Sequence, residues 1–321
     1  MTLELALNSM TPAGLQKPPP RAQDRFDLLA PPAFSFASAG VPDAFLQEVC
    51  LLVGDPVVGN PTQYMMEKAF AQHGLDWRFL SCEVKAEALA DAVRGFRALG
   101  FRGATLIRPH TVAAVELVDR LSERAQTIGA VNCLVREGDE LVGENTDGAG
   151  FLRALEGTIN PAGKHVVVLG AGGAARAIGV ELGLAGVGRI TIVNRTPEAG
   201  QRLAELIHQT TSVEAESVAW EGDYEVPADA DLLVQATSLG LTDPEARVPV
   251  AYQHGPGLVV ADVVFNPPET QFLVEARHHG CKTIDGLGMM VHQGAIALAR
   301  WTGVVPDLTV MREAAEEFLS S

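Results

Sequence analysis

The clearest structural pattern in this chain is Val166-Val-Val-Leu-Gly-Ala-Gly-Gly-Ala-Ala-Arg-Ala177. Its first residues are β-branched or apolar, which is typical of a buried strand, and the small residues after the turn fit the start of a helix. Gly170 permits a sharp turn, Gly172 lets a pyrophosphate approach the backbone, and Ala175 lets the helix pack closely on the strand. The N-terminus of the helix offers free N–H groups to the phosphates. The stretch therefore predicts a dinucleotide-binding turn, and a glycine-rich turn without a ligand is the plainer alternative.

The strand that follows refines the choice of cofactor. Arg189-Ile-Thr-Ile-Val193 has the β-branched character of a second strand in the same unit. An NAD site usually carries Asp or Glu near the end of this strand, where the carboxylate holds the ribose 2′-hydroxyl. Here the sequence reads Asn194-Arg195-Thr196, and an arginine at this point can pair with a 2′-phosphate. The pattern therefore favours NADP (NADPH) over NAD, with a solvated surface Arg195 as the alternative.

The composition bounds the class of protein. The chain has 321 residues, enough for two domains, and its 47% hydrophobic and 20% charged residues are ordinary for a globular protein. The formal net charge of −16 argues against nucleic acid or an anionic membrane as a bulk partner. We see no signal peptide, no membrane-spanning run and no metal-ligand spacing, so we expect a cytoplasmic protein with reduced thiols and no metal. The four scattered cysteines are Cys50, Cys82, Cys133 and Cys281.

Hydrophobic periodicity predicts alternating strands and helices, which is typical of an α/β fold with a mostly parallel sheet. Before the glycine-rich stretch we expect strands at 49–53, 77–84 and 101–107, helices at 62–73, 86–99 and 110–125, a hairpin over 130–143 and a helix to about 156. Later strands are expected at 165–170, 189–194, 215–219, 231–236, 258–263 and 281–284, and later helices at 173–185, 197–209, 269–279, 288–302 and 308–319. Thr62 is expected to cap the first helix. Proline clusters predict an irregular extension over residues 1–48, with at most a short helix near 42–48.

Seven short motifs follow one another in a fixed order along the chain. They are Gly129-Ala-Val-Asn132, Asn145-Thr-Asp-Gly148, Gly170-Ala-Gly-Gly-Ala-Ala175, Asn194-Arg-Thr196, Ala236-Thr-Ser-Leu-Gly240, Asp262-Val-Val-Phe-Asn-Pro267 and Asp285-Gly-Leu-Gly-Met289. Together they make the chain resemble the shikimate dehydrogenase family over nearly everything from residue 50 onward. The resemblance implies reduction of 3-dehydroshikimate to shikimate with NADPH, or oxidation of the related quinate, in a cleft between two domains.

The resemblance also implies how the chain is divided. An N-terminal, mostly parallel α/β domain that binds substrate would comprise residues 49–150 and 286–321, because the family's last helices return to the first domain. A Rossmann domain that binds NADP would comprise residues 151–285. The irregular extension, residues 1–48, would precede both domains.

Hydride transfer at a carbon that bears oxygen requires an acid/base group within hydrogen-bond reach of that oxygen. In the family this pair is a lysine and an aspartate, and the resemblance assigns the aspartate to Asp147. Asn132 and Gln293 match side chains that contact substrate. The positions that match cofactor contacts are Gly170, Ala171, Gly172, Gly173, Ala174, Asn194, Arg195, Thr196, Thr237, Ser238, Gly286 and Met289.

The sequence departs from the family where the catalytic lysine should be. That lysine ends a stretch like Asn-Val-Thr-Val-Pro-His-Lys, and Thr105-Leu-Ile-Arg-Pro-His-Thr111 occupies the same place here. Thr111 cannot replace an ammonium group, although its hydroxyl can relay a hydrogen bond, so it remains a catalytic candidate. His110 is a second candidate because a histidine titrates near neutral pH, and a structural or exposed histidine is the favoured alternative, since the residue begins a predicted helix and can face the interior. Arg108 either binds a substrate carboxylate or points to solvent.

Further departures also fall on substrate positions. Thr105 replaces an asparagine, Asn60-Pro-Thr62 stands where the family has a Ser-x-Ser pair, and Phe265 replaces a tyrosine and lacks its hydroxyl. We therefore count Asn60, Thr62, Thr105 and Phe265 with the substrate-binding candidates. The cofactor motifs are intact, so the departures from the family pattern are confined to positions that would contact substrate.

Three functional hypotheses follow. The first is an NADP-dependent oxidoreductase with an altered substrate preference, whose substrate is a small hydroxylated ring carboxylate. The second is a shikimate dehydrogenase with unusual site residues, and the third is an NADP-binding regulatory or interaction protein without turnover. We expect the protein to be a monomer or a homodimer.

Overall fold

The computed structural model of the chain describes residues 47–252 and 257–321. The irregular extension expected over residues 1–48 lies outside the described residues, except for its last two. The short helix considered near 42–48 also lies outside them, apart from Gln47 and Glu48, and Glu48 begins the first strand.

The first sheet has six strands, in the order β2-β1-β3-β5-β6-β4. The first three strands are parallel to one another, and β5 is antiparallel to both β3 and β6. Strands β5 and β6 form the expected hairpin. The strands are β1 (Glu48–Gly54), β2 (Trp77–Glu83), β3 (Gly103–Leu106), β4 (Arg120–Leu121), β5 (Cys133–Glu137) and β6 (Glu140–Glu144), and the helices are α1 (Thr62–Gln72), α2 (Leu89–Leu99) and α3 (Glu123–Ile128).

The second sheet is fully parallel, in the order β14-β13-β11-β7-β8-β9. Its central strand β7 (His165–Leu169) is buried throughout, as its continuous apolar run predicts. The other strands are β8 (Arg189–Asn194), β9 (Glu214–Ala219), β11 (Leu232–Gln235), β13 (Val259–Asp262) and β14 (Lys282–Ile284), with β10 (Tyr224–Glu225) and β12 (Val250–Ala251) as a separate pair. The helices are α4 (Asp147–Leu155), which precedes the sheet, α5 (Gly173–Leu184), α6 (Pro197–Thr211) and α7 (Gln271–His278).

Of the last two helices, α8 (Gly286–Thr302) packs on the first sheet, and α9 (Leu308–Ser320) packs on α1 and α8. Met290 and Trp301 of α8 share a buried cluster with Cys50 and Leu52 of β1. The Trp301 indole N–H donates to the Leu134 carbonyl oxygen at 2.9 Å. This packing agrees with the α/β, two-sheet fold class inferred from the sequence, while the exact domain boundaries stay a prediction. None of the helices within the described residues has the length and apolarity needed to cross a membrane.

The helix predicted over 110–125 is wrong. The segment instead contains a short 3-10 turn at Ala113–Leu117, then β4, then α3. Two hydrogen bonds to Leu141 hold Asp119 beside the hairpin, since the Asp119 N–H donates to the Leu141 carbonyl and the Asp119 carboxylate accepts from the Leu141 N–H. Ser122 then caps α3 by accepting the Ala125 N–H at 3.1 Å. Pairing with a distant strand has overridden the local helical periodicity.

Thr62 does not cap α1, which corrects a second expectation. Pro61 occupies the N-cap position and makes no side-chain capping hydrogen bond. Thr62 is the first residue of the helix, where its own N–H donates to the Asn60 side-chain oxygen at 2.9 Å. The polar side chain that serves this turn is therefore Asn60, two residues earlier than expected.

Candidate active site

A cleft of about 630 Å³ lies at the carboxyl ends of strands from both sheets. Leu106 ends β3 of the first sheet, while Gly170, Asn194, Ala236 and Val263 end or follow four strands of the second. The chain order reverses beside β7, whose neighbours are β8 on one side and β11 on the other. Ligands of parallel α/β sheets bind outside the carboxyl ends of the strands at such a reversal. The cleft is therefore where the fold predicts a dinucleotide.

The glycine-rich turn has the geometry that a phosphate cradle requires. Gly170 has a φ of 107°, a conformation that side chains disfavour, and its N–H donates to the Val193 carbonyl at 2.8 Å. A Cβ on Gly172 would meet nothing within 4 Å, so this face of the turn is open to a ligand. The next residue begins α5, whose first N–H groups point out of the helix at this place. The turn fits the pyrophosphate of a dinucleotide.

The end of β8 supplies a positive charge to the same cleft. Arg195 is exposed and lines the cleft, and it has no hydrogen bond or ion pair with any residue that the structure describes. The neighbouring Asn194 donates its side-chain amide to the Thr196 carbonyl at 2.8 Å, which holds the start of α6. Asn194 lines the cleft as expected, but Thr196 does not. Arg195 is therefore the residue of this motif that is placed to meet a 2′-phosphate.

Asp147 occupies the substrate side of the cleft as the first residue of α4. Its carboxylate accepts a hydrogen bond from the Asn132 side-chain amide at 2.8 Å. Burial raises the pKa of Asp147 from its ordinary 3.8 to about 6, against the opposing effect of that hydrogen bond. A carboxyl group with a pKa near the working pH can both donate and accept a proton, which is what a general acid/base requires.

The side chain of Asn132 is fixed by contacts on both of its polar atoms. Its oxygen accepts the Thr146 N–H at 2.7 Å, and its amide also lies 3.2 Å from the Gln293 side-chain oxygen. Asn145 holds the same turn by accepting the Asp147 N–H at 3.2 Å and by donating to the Ala130 carbonyl at 3.1 Å. Asn132 is 2% exposed. It does not line the cleft, so the role that the structure shows for it is the positioning of Asp147, and its role as a substrate contact stays a prediction.

Two glycines let α4 lie between α5 and α8. A Cβ on Gly148 would come within 2.5 Å of the Ala177 carbonyl oxygen of α5. A Cβ on Gly150 would lie 2.8 Å from the backbone nitrogen of Gln293 on α8. These close approaches set the position of Asp147 relative to the glycine-rich turn and to Gln293.

Thr111 lines the cleft, but it faces the cofactor side. Its hydroxyl oxygen lies 3.2 Å from the point that a Cβ on Gly173 would occupy. The described hydrogen bonds include none between Thr111 and Asp147. The position that carries the family's lysine thus supplies no charge here, and Asp147 is left without a basic partner among its described contacts.

The structure corrects the expectation for His110. The side chain is 1% exposed, it does not line the cleft, and one ring nitrogen lies 2.8 Å from the Val84 carbonyl oxygen. This contact ties the loop after β3 to the loop after β2. His110 is a structural residue, because its ring is turned into the protein by that hydrogen bond.

Thr62 and Thr105 lie deeper than expected. They do not line the cleft but a narrow recess of about 10 Å³, which shares Met290 and Gln293 with it. The hydroxyl oxygen of Thr105 is buried and lacks a hydrogen-bond partner within the described part of the chain. A buried polar group without a partner costs free energy, so the Thr105 hydroxyl is available to a ligand group or a water in this recess.

The remaining predicted residues lie in the wall of the cleft. On the substrate side these are Asn60, Phe265 and Gln293, and on the cofactor side Ala171, Gly173, Ala174, Thr237, Ser238, Gly286 and Met289. Sequence reasoning missed Trp220, whose indole N–H donates to the Pro249 carbonyl at 3.0 Å, and Asn266, whose amide reaches the Gly59 carbonyl at 3.3 Å. Asn266 falls inside the quoted motif that ends at Pro267 and was detectable there, whereas nothing local marks Trp220.

Metal chemistry has no support in the same region. Within residues 47–252 and 257–321 no group of three His, Cys, Asp or Glu side chains is arranged to hold a metal ion. The cysteines in that part of the chain are free thiols, and burial raises the pKa of Cys82 and Cys281.

Three family models match successive parts of the chain. Residues 52–134 match the shikimate dehydrogenase substrate binding domain, residues 154–241 match shikimate / quinate 5-dehydrogenase, and residues 286–316 match the shikimate 5′-dehydrogenase C-terminal domain. A curated relative, the shikimate dehydrogenase (NADP(+)) of Methanopyrus kandleri, is 42% identical over 275 residues, which are 84% of this chain and 94% of that protein.

The chain belongs to the shikimate dehydrogenase family.

Solved structures agree with this assignment. The ligand-free 5-ketofructose reductase of Gluconobacter sp. strain CHM43 is 46% identical, with a TM-score of 0.81 over 85% of this chain and 99% of that one. The shikimate 5-dehydrogenase of Thermus thermophilus, in complex with NADP(H) and shikimate, is 36% identical, with a TM-score of 0.75 over 85% and 100%. The predicted family, fold class and enzyme class, an NADP-dependent oxidoreductase, are confirmed. The individual residue roles stay predictions.

Proposed function

We propose that this enzyme transfers a hydride between NADP(H) and a small hydroxylated ring carboxylate, with Asp147 as its acid/base group and shikimate as a poor substrate. The observation that carries the proposal is the pairing of two features in one cleft. Asn132 donates a hydrogen bond to Asp147, and burial raises the pKa of Asp147 to about 6. The uncharged Thr111 occupies the lysine position of the family in the same cleft.

The reaction needs one proton at the substrate oxygen. Bound NADPH supplies the hydride to the carbonyl carbon. Protonated Asp147 donates its proton to the carbonyl oxygen as the negative charge develops there, and the hydroxyl group of the product is completed. In the reverse direction the Asp147 carboxylate accepts the hydroxyl proton. Asn132 keeps the carboxyl group aimed through both steps, since its own oxygen is fixed by the Thr146 N–H.

The loss of the lysine supports a changed substrate preference. Removal of a catalytic acid/base group typically costs about a hundredfold to ten-thousandfold in rate. A shikimate-selective enzyme would lose that factor with Thr111 in place, whereas an enzyme adapted to another substrate would have its other contacts tuned to compensate. Arg108 is exposed, lines the cleft and has no ion pair with a described residue, so it is the candidate partner for a substrate carboxylate.

A second candidate substrate class is a neutral keto sugar. It is favoured by the 46% identity to 5-ketofructose reductase, which this chain matches over 99% of that protein's length. A neutral keto sugar has no carboxylate and therefore does not need Arg108 for charge recognition. The two classes therefore differ in how much they depend on Arg108.

The test is a panel of steady-state rates with the purified full chain. NADP(+) reduction is followed with shikimate and quinate at alkaline pH, and NADPH oxidation is followed with 3-dehydroshikimate and 5-ketofructose near neutral pH. Arg108→Gln is expected to raise KM for a ring carboxylate about tenfold or more and to leave a keto sugar nearly unaffected.

Two outcomes contradict the proposal. Efficient turnover of shikimate, with kcat/KM in the usual range of about 10⁴ to 10⁸ M⁻¹s⁻¹, would show that Thr111 is no barrier. The absence of turnover with every substrate, while NADPH still binds, would support the non-enzymatic hypothesis, in which the protein is a regulatory or interaction protein. Asp147→Asn is the matched control, because it should abolish true turnover and preserve cofactor binding.

A further inference from the structure

A second cavity, of about 600 Å³, shares no lining residue with the cleft. It lies among α3, α4, α5 and the loop 156–162 that joins α4 to β7. We call it the α4–α5 cavity. Its volume falls in the range of about 300 to 1,000 Å³ in which small-molecule sites occur.

The wall of the α4–α5 cavity is mainly apolar. Ala149 and Leu152 contribute one face of α4, because residues three and four apart share a helix face. Leu184 and Ala185 contribute the end of α5, and Ile159 covers the cavity from the connecting loop. Leu152, Ile159 and Leu184 each retain partial exposure, so this apolar surface is not closed by the protein itself.

One charged pair sits within that apolar wall. Glu181 of α5 has a side chain that is 3% exposed, and its carboxylate is bonded to Arg124 of α3, whose side chain is 27% exposed. The carboxylate is thus covered while the guanidinium, which has five N–H donors, faces the cavity with donors to spare. Arg153 adds a second positive charge to the wall, 3.7 Å from the exposed carboxylate of Glu156. The wall therefore holds two arginines and two glutamates. Arg124 is the arginine whose carboxylate partner is covered, so its remaining N–H groups are what the wall offers to an anion.

We propose that the α4–α5 cavity binds a small molecule with an apolar body and one carboxylate, such as an aryl or short alkyl acid. The carboxylate pairs with Arg124, and the apolar body packs on Leu152, Ile159 and Leu184. Strongly polar anions should bind weakly in this cavity. They would lose their hydration on entering, and the apolar wall and the covered Glu181 offer too few hydrogen-bond donors to replace it.

Two helices run from the cleft to this cavity. α4 begins at Asp147, and α5 begins at Gly173 of the glycine-rich turn, so both helices have their first turn in the cleft and a later turn in the cavity. The Arg124–Glu181 pair and a hydrogen bond from Arg176 to the Ile128 carbonyl join α3 to α5. A ligand that contacts α4 and α5 together binds with different affinity when their separation changes, which is the condition for coupling two sites.

The first experiment measures binding of 4-phenylbutyrate to the full chain by titration calorimetry, with the uncharged 4-phenylbutyramide as the matched ligand. The acid is expected to bind about tenfold more tightly than the amide, because a charge-assisted hydrogen bond to an arginine distinguishes them. Ala185→Trp places an indole in the cavity and should abolish binding of the acid. The exposed helical Ala71→Trp on α1 is the control and should leave binding unchanged.

The charge is tested by the double variant Arg124→Gln with Glu181→Gln, which removes both charges and leaves no buried carboxylate unpaired. This variant should bind the acid and the amide alike. By linkage, the factor by which 4-phenylbutyrate changes the Kd for NADPH must equal the factor by which NADPH changes the Kd for the acid. Ala185→Trp should abolish the effect of the acid on the Kd for NADPH.

Three results would overturn the proposal. The first is no binding of the acid up to about 10 mM, a concentration above the Kd expected for a fragment of this size. The second is equal affinity for the acid and the amide. The third is retained binding of the acid in Ala185→Trp. If the first of these results is accompanied by a change of oligomeric state in Ala185→Trp, the surface is assigned to a protein contact. None of these readouts depends on turnover, so the proposal stands or fails separately from the proposed function.

Discussion

Replacement of Asp147 by asparagine is expected to remove turnover and to make the folded protein more stable at neutral and alkaline pH. The amide cannot transfer a proton, so kcat should fall by about a hundredfold to ten-thousandfold. Asn132 can still donate to the oxygen of the new amide, because that contact runs from the Asn132 amide to Oδ1 of residue 147 at 2.8 Å. The local geometry should therefore survive while the chemistry is lost.

The gain in stability follows from the raised pKa of Asp147. Its pKa is about 6 in the folded protein against an ordinary 3.8, so the folded state binds this proton more tightly than the unfolded state does. The resulting stabilisation is complete below about pH 3.8 and is lost as the pH rises through about 6. The difference between the two values corresponds to about 3 kcal/mol in the free energy of unfolding.

The assay is urea unfolding of the parent and Asp147→Asn from about pH 4 to about pH 8, with Asp139→Asn as the control. Asp139 lies in the exposed turn between β5 and β6 and contacts neither the cleft nor Asn132. The advantage of Asp147→Asn over the parent should grow with pH and level off above about pH 7, at about 2.5 kcal/mol more than at pH 4, where the unfolded carboxyl group is already partly ionised. Asp262, whose pKa burial also raises to about 6, is present in all three proteins and cancels in the difference.

A difference in unfolding free energy that does not change with pH would refute the raised pKa of Asp147. Preserved turnover in Asp147→Asn would remove Asp147 from the proton transfer. Each outcome bears on a separate step, since the first concerns burial of the carboxyl group and the second concerns its chemical role.

Three further predictions rest on single contacts. Arg195→Ala should weaken NADPH about tenfold or more and leave NADH nearly unchanged, as measured by fluorescence titration, and equal losses for both cofactors would contradict the 2′-phosphate assignment. Thr111→Lys restores the charge at the lysine position of the family. The value of kcat/KM for shikimate should therefore rise at least about tenfold, while the Kd for NADPH stays within a factor of about three. An unchanged kcat/KM would show that other residues limit the turnover of shikimate. Gly150→Ala places a Cβ 2.8 Å from the Gln293 backbone nitrogen, so the free energy of unfolding should fall by about 1–3 kcal/mol and Tm should fall with it in thermal unfolding. An unaltered Tm would mean that α4 and α8 can move apart at no cost in free energy.

Much of the fold could be inferred from local sequence. The strand, turn and helix around Gly170 depend on residues adjacent in the chain, and the glycine at φ 107° stands where the sequence predicts a sharp turn. The returning α8 and α9 came from the family resemblance, since periodicity shows two helices and does not show which sheet they cover. The segment 110–125 was missed because β4 exists only through its pairing with β6, a partner that lies further along the chain, beyond α3 and β5.

Residue type at local positions was enough to predict the glycine-rich turn, the arginine after β8 and the loss of the family's lysine at Thr111. The direction of His110 toward the Val84 carbonyl, and the hydrogen bond from Asn132 to Asp147, depend on long-range packing. The raised pKa of Asp147 is also a tertiary property, since burial by elements distant in the chain causes it. Hydrogen-bond partners and burial depend on which surfaces meet, and that is settled only when the two sheets and their helices pack together.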